Sequence, residues 1–159
     1  MSKDLSHVGP DGRARMVDVS AKPVTVRTAR AAGAIRMAPD TLKAIEANAL
    51  AKGDAMGVAR IAGVLAAKRT AELIPLCHPL PLDDVQVILT PDPALPGLRA
   101  EATAKTTGRT GVEMEAILAV SIALVTVYDM AKAVDREMTI GEVRLLEKTG
   151  GQSGDWTRA

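Results

Sequence analysis

The chain has 159 residues, 47% of them hydrophobic and 25% charged, enough for one domain with a core but short for two. Its net charge of +1 excludes a strong overall field that attracts nucleic acid or an anionic membrane, and its single cysteine excludes an intrachain disulfide. Phenylalanine is absent, so the core must be built from alanine, valine, leucine, isoleucine and methionine. No apolar run reaches the roughly 18 residues of a transmembrane helix. We therefore expect a soluble, cytoplasmic domain without a nucleic-acid or membrane partner.

The first half of the chain predicts a strand and two helices after a polar N-terminal segment. Residues 1–15 are rich in glycine, proline, serine and charged side chains, and we expect them to be flexible. Residues 23–37 alternate imperfectly between apolar and polar side chains, which predicts a strand with a bulge near Gly33. A short helix over 38–49 and a longer one over 55–73 follow, the second rich in alanine and glycine.

The second half predicts a hairpin, a long helix and a last strand. Two alternating segments, 83–91 and 97–107, flank a turn-rich connection and are expected to pair. The most apolar stretch, 111–135, predicts a long helix, followed by a strand over 141–148 and a glycine-rich tail over 149–159. With the first two helices counted as one unit, the order is βαββαβ. This order predicts an α+β fold, a ferredoxin-like sandwich with an antiparallel sheet packed on helices.

The segment "LIPLCHPL", over 73–80, places the only cysteine beside one of the two histidines and between two prolines. A metal site needs three or four ligands, and no second Cys/His pair stands at a suitable spacing, so we expect no metal here. A nucleophilic Cys77 activated by its neighbour is also disfavoured, because adjacent side chains usually diverge; we expect a small packed side chain instead. His78, on a backbone fixed by prolines, is either a substrate contact or a packed residue.

The stretch "TGRTGVEMEA", over 107–116, combines a glycine-rich turn with two glutamates. Thr110 and Glu113 have the S/T-x-x-E spacing of a capping box, so one alternative for Glu113 is a purely structural role at the start of the long helix. The other alternative is a functional role, because the free N–H groups at a helix N-terminus bind anions. Glu115 is two residues further on and is expected to point to another side of the helix.

Asp129 and Lys132 lie three residues apart near the far end of the same helix and share a face. The alternative to a functional role is a surface ion pair, which is common and contributes little stability. The preceding segment is apolar almost all round, which predicts that both groups are partly desolvated, with pKa values shifted toward acid–base use. Lys52, beside Gly53 at a predicted helix start, is a further cation suited to holding a phosphate.

Glu113 and Asp129 are sixteen residues apart on one predicted helix, which corresponds to about 24 Å. They cannot serve one small-molecule site within a single chain. Antiparallel pairing of two copies about a twofold axis could bring Glu113 of one chain near Asp129 of the other. If both residues are functional, the sequence predicts a composite site at a subunit interface.

Six stretches of the sequence occur in the order expected of a known family: "MVDVSAK", "KGD…ARIAG…AAKRT", "LIPLCHPL", "TGRTGVEMEA", "YDMAKAVD" and "GEVRLLEKTGGQSGD". From about Met16 to Asp155 the chain resembles the cyclic pyranopterin monophosphate synthase family, also called the molybdenum cofactor biosynthesis protein C family. The resemblance implies one synthase domain over 16–159 with a ferredoxin-like fold. It also implies a homohexamer, a trimer of dimers, with active sites at the dimer interface.

The resemblance further implies a lyase reaction of molybdenum cofactor biosynthesis. In that reaction (8S)-3′,8-cyclo-7,8-dihydroguanosine 5′-triphosphate is rearranged to cyclic pyranopterin monophosphate, and diphosphate is released. Asp129 and Lys132 correspond to the family's acid–base pair, and Lys52 to a further catalytic lysine. The implied substrate-binding residues are Leu76, Cys77, His78, Glu113, Met114 and Glu115.

No cofactor is implied; Mg²⁺ could accompany the triphosphate, but the chain shows no clear set of carboxylate ligands for it. The reading from a different class is a non-catalytic oligomeric module that binds a nucleotide or a pterin. The two readings differ in the expected effect of replacing Lys132 by alanine. A binding module would change only in stability, whereas the synthase would lose turnover.

Overall fold

The computed structural model describes residues 12–152 and 154–159. The strands are β1 (Thr25–Arg36), β2 (Asp84–Asp92), β3 (Gly97–Gly108), β4 (Thr139–Thr149) and β5 (Trp156–Thr157). The helices are α1 (Pro39–Glu46), α2 (Ala55–Lys68), α3 (Thr70–Leu73) and α4 (Glu113–Ala131). The expected flexibility of residues 1–15 falls mostly outside the described residues and stays a prediction.

The described strands form one sheet in the order β2-β3-β1-β4-β5, and all neighbouring pairs are antiparallel. Strand β3 lies between β1 and β2, and β1 lies between β3 and β4, as in a ferredoxin-like sheet built from two interleaved βαβ units. The predicted α+β ferredoxin-like fold is therefore confirmed. Strand β5 was not predicted: the glycine-rich tail returns beside β4, with Trp156 opposite Lys148.

Small side chains bring the sheet and helices α2 and α4 close together. Ten core alanines are at most 1% exposed: Ala29, Ala31, Ala59, Ala100, Ala102, Ala104, Ala116, Ala119, Ala123 and Ala131. At Gly33, where the register of β1 against β4 shifts, a Cβ would lie 2.8 Å from Val120 Cγ1 and 2.9 Å from Leu124 Cδ1. The bulge predicted near Gly33 is confirmed, and its glycine allows the strand to approach α4.

Helix α2 begins as the sequence indicates but ends earlier. The Asp54 carboxylate accepts a hydrogen bond from the Gly57 backbone N–H at 2.8 Å, which makes Asp54 the N-cap. The single helix predicted over 55–73 is wrong, because Arg69 leaves the helical conformation (φ −111°, ψ 14°) and separates α2 from the short α3.

Helix α4 crosses the middle of the structure and carries functional candidates at both ends. By length and composition it is long and apolar enough to cross a membrane, with 19 residues and a mean hydropathy of 1.7. The prediction that no such run exists is thus wrong by this measure. Half of this apolar segment is buried inside the fold. The core helix of a soluble protein meets the same criterion of length and composition.

Candidate active site

A cavity of about 370 Å³ opens at the N-terminal end of α4. Its walls come from residues 17–28, the proline-bracketed loop, the start of α4 and the end of β4 with the turn after it. All six predicted substrate-binding residues line it: Leu76, Cys77, His78, Glu113, Met114 and Glu115. The fold thus brings two separate sequence motifs to one concave surface of a size suited to a nucleotide.

Glu113 forms an ion pair with Lys148 across the cavity wall. Its Oε1 accepts a hydrogen bond from Lys148 Nζ at 2.8 Å, and both side chains are about one-third exposed or less. The capping-box alternative is wrong, because the N-cap of α4 is Val112 and no side chain caps the helix. A Cβ at Gly111 would meet the Glu113 carboxylate, the end of a flexible side chain, so a larger residue there would displace that carboxylate.

Glu115 lines the same cavity as Glu113, although the helical spacing predicted another side of the helix. Both residues lie in the first turn of α4, which lines the cavity together with residues of the loop over 76–80. Glu115 is only 4% exposed. Burial raises its pKa above the usual range, its own backbone N–H opposes that shift, and the negative charge of Glu113 adds to it.

Cys77 and His78 both line the cavity, so the proline-bracketed loop forms a wall facing the two glutamates. Burial raises the pKa of the Cys77 thiol, and the charges of Glu115 and Glu113 raise it further. A thiol held in its neutral form is a poor nucleophile, in agreement with the sequence argument. Among the described residues, no three His, Cys, Asp or Glu side chains are grouped as metal ligands.

Asp129 lies at the other end of α4 between two lysines. Its Oδ1 lies 2.7 Å from Lys132 Nζ, and its Oδ2 lies 2.6 Å from Lys52 Nζ. Lys52 Nζ also donates to the Asp129 backbone carbonyl at 2.9 Å. The three side chains are about half exposed. This triad, as we call Lys52, Asp129 and Lys132, carries a net charge of +1 and faces solvent.

A family model described as the MoaC family matches residues 16–151, most of the chain. The chain belongs to the MoaC family. Proteins named cyclic pyranopterin monophosphate synthase from Brucella ovis and Brucella abortus are 58% identical to it over 156 residues, which cover 98% of this chain and 94% of theirs. One of the same name from a Nostoc species is 57% identical, covering 98% of this chain and 92% of its own. The resemblance found in the sequence is confirmed.

The electrostatics of the triad in this MoaC family chain differ from the sequence expectation. Hydrogen bonds from Lys132 and Lys52 lower the pKa of Asp129 to about 2, and Asp129 in turn raises the pKa of Lys132. The expected desolvation and the shift toward acid–base use are wrong for the single chain. Asp129 and Lys132 are about half exposed, and each favours the ionised form of the other.

The structure therefore separates the candidate residues of this MoaC family chain into two groups. The glutamates of the cavity lie at the start of α4, and the triad lies at its end. Glu113 and Asp129 are about 24 Å apart at the usual helical rise. Within one chain they do not form a single site.

Three cations of the cavity were not among the predicted site residues: Lys22, Arg27 and Lys148. Arg27 is only 9% exposed, and its Nε donates to the Gly108 carbonyl at 3.0 Å. The sequence held a signal for it, because strand alternation places Arg27 on the same face as the core residues Ala29 and Ala31. A cation on the inward face of a strand indicates a polar ligand or partner at that point.

Proposed function

We propose that this chain converts (8S)-3′,8-cyclo-7,8-dihydroguanosine 5′-triphosphate to cyclic pyranopterin monophosphate and releases diphosphate, as a soluble cytoplasmic lyase of molybdenum cofactor biosynthesis. The observation that carries the proposal is the convergence of six expected substrate contacts on one nucleotide-sized cavity in a chain of the MoaC family. Relatives that cover nearly the whole chain bear the name of this activity.

The charges in the cavity suit a triphosphate. Lys22 and Arg27 present two cations, Lys148 adds a third that is paired with Glu113, and the hydroxyls of Thr28 and Thr110 add neutral donors. Neutralising the charge of the departing diphosphate is the electrostatic requirement of the bond-breaking step. We propose that these side chains meet it without a resident cofactor, and that Mg²⁺ enters only as a companion of the triphosphate.

The triad supplies groups for the proton transfers of the ring rearrangement. Asp129 holds both lysines by hydrogen bonds of 2.6 and 2.7 Å, so it fixes where their ammonium groups point. Lys132 and Lys52 are then placed to give and take protons, with Asp129 as the balancing charge. Covering the triad with substrate and protein would remove water and move the pKa values of Asp129 and Lys132 back toward neutrality.

The cover would come from a second subunit. Antiparallel pairing of α4 helices about a twofold axis would place the cavity of one chain beside the triad of the other. Helix α2 supports such an interface, because Val58, Ile61 and Leu65 follow helical spacing and remain 44–63% exposed. We propose that dimers of this kind assemble into the homohexamer, a trimer of dimers, that the family resemblance implies.

The test of activity is diphosphate release from the cyclised dihydro-GTP. We expect Lys132→Ala to lower kcat by about 10²- to 10⁴-fold, the usual contribution of a general acid or base. Lys43→Ala is the matched control, because Lys43 pairs with Asp40 at the same i, i+3 spacing but belongs neither to the cavity lining nor to the triad. No diphosphate release by the wild-type chain would leave a nucleotide- or pterin-binding module as the reading.

The test of the composite site mixes two inactive variants. Asp129→Ala keeps an intact cavity, and Glu113→Ala keeps an intact triad. Random exchange of subunits would restore about a quarter of the sites if each site takes one group from each chain. Activity that stays at the level of the separate variants, with exchange verified by mass spectrometry, would exclude a shared site.

A further inference from the structure

Asp135, the last residue of the "YDMAKAVD" stretch, accepts three hydrogen bonds from two separate parts of the chain. Its Oδ2 accepts from the Ala38 backbone N–H at 2.8 Å and from the Thr41 hydroxyl at 3.2 Å. Its Oδ1 accepts from the Glu137 backbone N–H at 3.0 Å. These bonds, the one from Ala38 most, hold the pKa of the Asp135 carboxyl below its usual range. Asp135 belongs neither to the cavity lining nor to the triad, so the proposed function does not account for it.

The Asp135 carboxylate caps helix α1 from another part of the chain. The N-cap residue of α1 is Ala38, whose side chain has no acceptor, so α1 has no side-chain cap of its own. The carboxylate lies at the positive end of the helix dipole and accepts bonds from the first turn. Leu42 and Ile45 bury the apolar face of α1, but apolar contacts are not directional. The directional bonds to Asp135 therefore fix the position of α1 along its axis.

Asp135 is itself attached to the last turn of α4. Its backbone N–H donates to the Ala131 carbonyl at 3.1 Å, and the Val134 N–H donates to the same carbonyl at 2.9 Å. The Tyr128 hydroxyl donates to the Arg136 carbonyl at 3.1 Å. The segment after α4 is thus tied to the helix turn that carries Asp129.

The other end of α1 leads to Lys52. The connecting segment is anchored by Leu50, which is 8% exposed and whose carbonyl accepts from the Gly53 N–H at 2.9 Å. From this segment Lys52 Nζ reaches back to Asp129 Oδ2 at 2.6 Å. Two contacts therefore join the end of α4 to α1 and the segment after it: one at Asp135 and one within the triad.

We propose that Asp135 is a positioning residue, which holds α1 against the end of α4 and thereby sets where the Lys52 ammonium group lies relative to Asp129. The inference rests on the proposed function, in which Lys52 takes part in proton transfer. Asp135 acts on the reaction only through Lys52. Its effect on rate is large because a displacement of about 1 Å in a reacting group can cost about 10²-fold.

The first measurement reports the geometry of the triad without turnover. Asp135→Asn keeps the shape of the side chain but turns an amide N–H₂ toward one of the three donors, so at least one bond is lost. We expect the NMR titration midpoint of the Asp129 carboxyl to rise from about 2 part of the way toward 3.8. The rise is partial because Lys52 moves away while Lys132, three residues along the same helix end, stays.

The second measurement is diphosphate release from the cyclised dihydro-GTP. We expect Asp135→Asn to lower kcat by about 10- to 100-fold, the usual effect of losing a hydrogen bond to a charged group. KM should change by less than about threefold, because the cavity at the other end of α4 is intact. A general loss of folded protein would instead lower the amount of active enzyme and leave the Asp129 midpoint where it was.

A pair of variants at Thr41 provides a milder perturbation and its rescue. Thr41→Val removes the hydroxyl donor and keeps the volume of this buried side chain, so it should move the Asp129 midpoint and kcat in the same directions by smaller amounts. Thr41→Ser keeps the hydroxyl and should restore both. If Asp135→Asn does not fold, this pair decides the question.

Asp92→Asn is the matched control. Asp92 also accepts bonds from two backbone N–H groups, those of Ala94 at 3.0 Å and Leu95 at 3.2 Å, and from the Arg99 side chain at 2.7 Å. It lies outside the cavity lining and the triad. We expect its replacement to lower stability and to leave the Asp129 midpoint and kcat unchanged.

The outcomes separate this inference from the proposed function. An unchanged Asp129 midpoint in folded Asp135→Asn, or an equal rise in Asp92→Asn, would overturn the role of Asp135, and so would a raised midpoint with the kcat of the wild type. If the wild-type chain releases no diphosphate, the proposed function is refuted, and the titration alone decides whether Asp135 positions Lys52. A raised midpoint with a lowered kcat in Asp135→Asn but not in Asp92→Asn would establish the inference.

Discussion

Replacing Gly150 by alanine tests how tightly the turn after β4 is fixed against the cavity. Gly150 has φ +85°, and a Cβ there would collide with the backbone carbonyl oxygen of Val26. The left-handed conformation costs an L-residue about 1–2 kcal/mol. The collision with rigid backbone adds about 1–3 kcal/mol, since the neighbouring strand must shift. We expect a total loss of about 2–5 kcal/mol in the free energy of unfolding.

Two other glycines separate these contributions. Gly154 has φ +72° but open space around its Cβ position, so Gly154→Ala should show the conformational cost alone. Gly141 has open space and no positive φ, so Gly141→Ala should change stability by less than about 1 kcal/mol.

The assay is chemical denaturation at one fixed protein concentration, because association would otherwise shift the midpoint. For a chain of this size, each kcal/mol corresponds to about 2–4 °C in Tm, so Gly150→Ala should also lower Tm by at least 4 °C or so. A Gly150→Ala variant no less stable than Gly154→Ala would refute the steric part of the argument.

Three further predictions concern charge and backbone. The Asp129 carboxyl should titrate near 2 by NMR, and Lys132→Ala should move the midpoint up toward the usual aspartate value. Since the pKa of Asp129 is lowered in the folded chain, its contribution to stability is present above the ordinary aspartate pKa and is lost as the pH falls toward 2; a midpoint near 4 in the wild type would contradict this. Alkylation of Cys77 by iodoacetamide should be slow at pH 7 and should rise with an inflection above the usual thiol pKa, whereas rapid labelling at neutral pH would speak against the neutral thiol. Glu142 has φ +56° in β4, so Glu142→Gly should raise the free energy of unfolding by up to about 1 kcal/mol, and a lower denaturation midpoint would oppose this reasoning.

The fold was predictable where hydrophobic periodicity was strong. The alternation in β2 and β3 predicts strands, and the apolar run of α4 predicts a helix. The order of these elements leaves few topologies. The break at Arg69 was not predicted, because the helical pattern continues through it. In the structure the Thr70 hydroxyl donates to the carbonyls of Ala66 and Ala67 at the end of α2. Strand β5 was missed because two residues beside an existing edge carry no periodicity of their own.

The sequence indicated which residues belong to the candidate site but not how they are arranged in space. Helical spacing sends Glu113 and Glu115 to different sides, but in the first turn of α4 both reach the cavity, since the helix end itself forms part of the wall. The pattern around Asp129 predicts burial from its apolar neighbours. The structure places it half exposed, because Asp129 lies with Val125 and Lys132 on the solvent-facing side of α4, whereas Val127, Met130 and Ala131 at the same end are buried. A helix that is apolar almost all round does not reveal in its sequence which side faces solvent.

The two groups of candidate residues lie at opposite ends of α4. The number of residues in this helix therefore sets the distance and the rotation between them. Deleting one residue between Glu113 and Asp129 would rotate Asp129 and Lys132 by about 100° around the helix axis, away from Lys52, and shorten the span by about 1.5 Å. A four-residue insertion would return them to within about 40° of their direction but lengthen the span by about 6 Å. In a dimer that joins the two ends of α4 across a twofold axis, each insertion or deletion would alter both equivalent sites. The length of α4, nineteen residues, would then be constrained by function in the same way as the identities of the residues at its two ends.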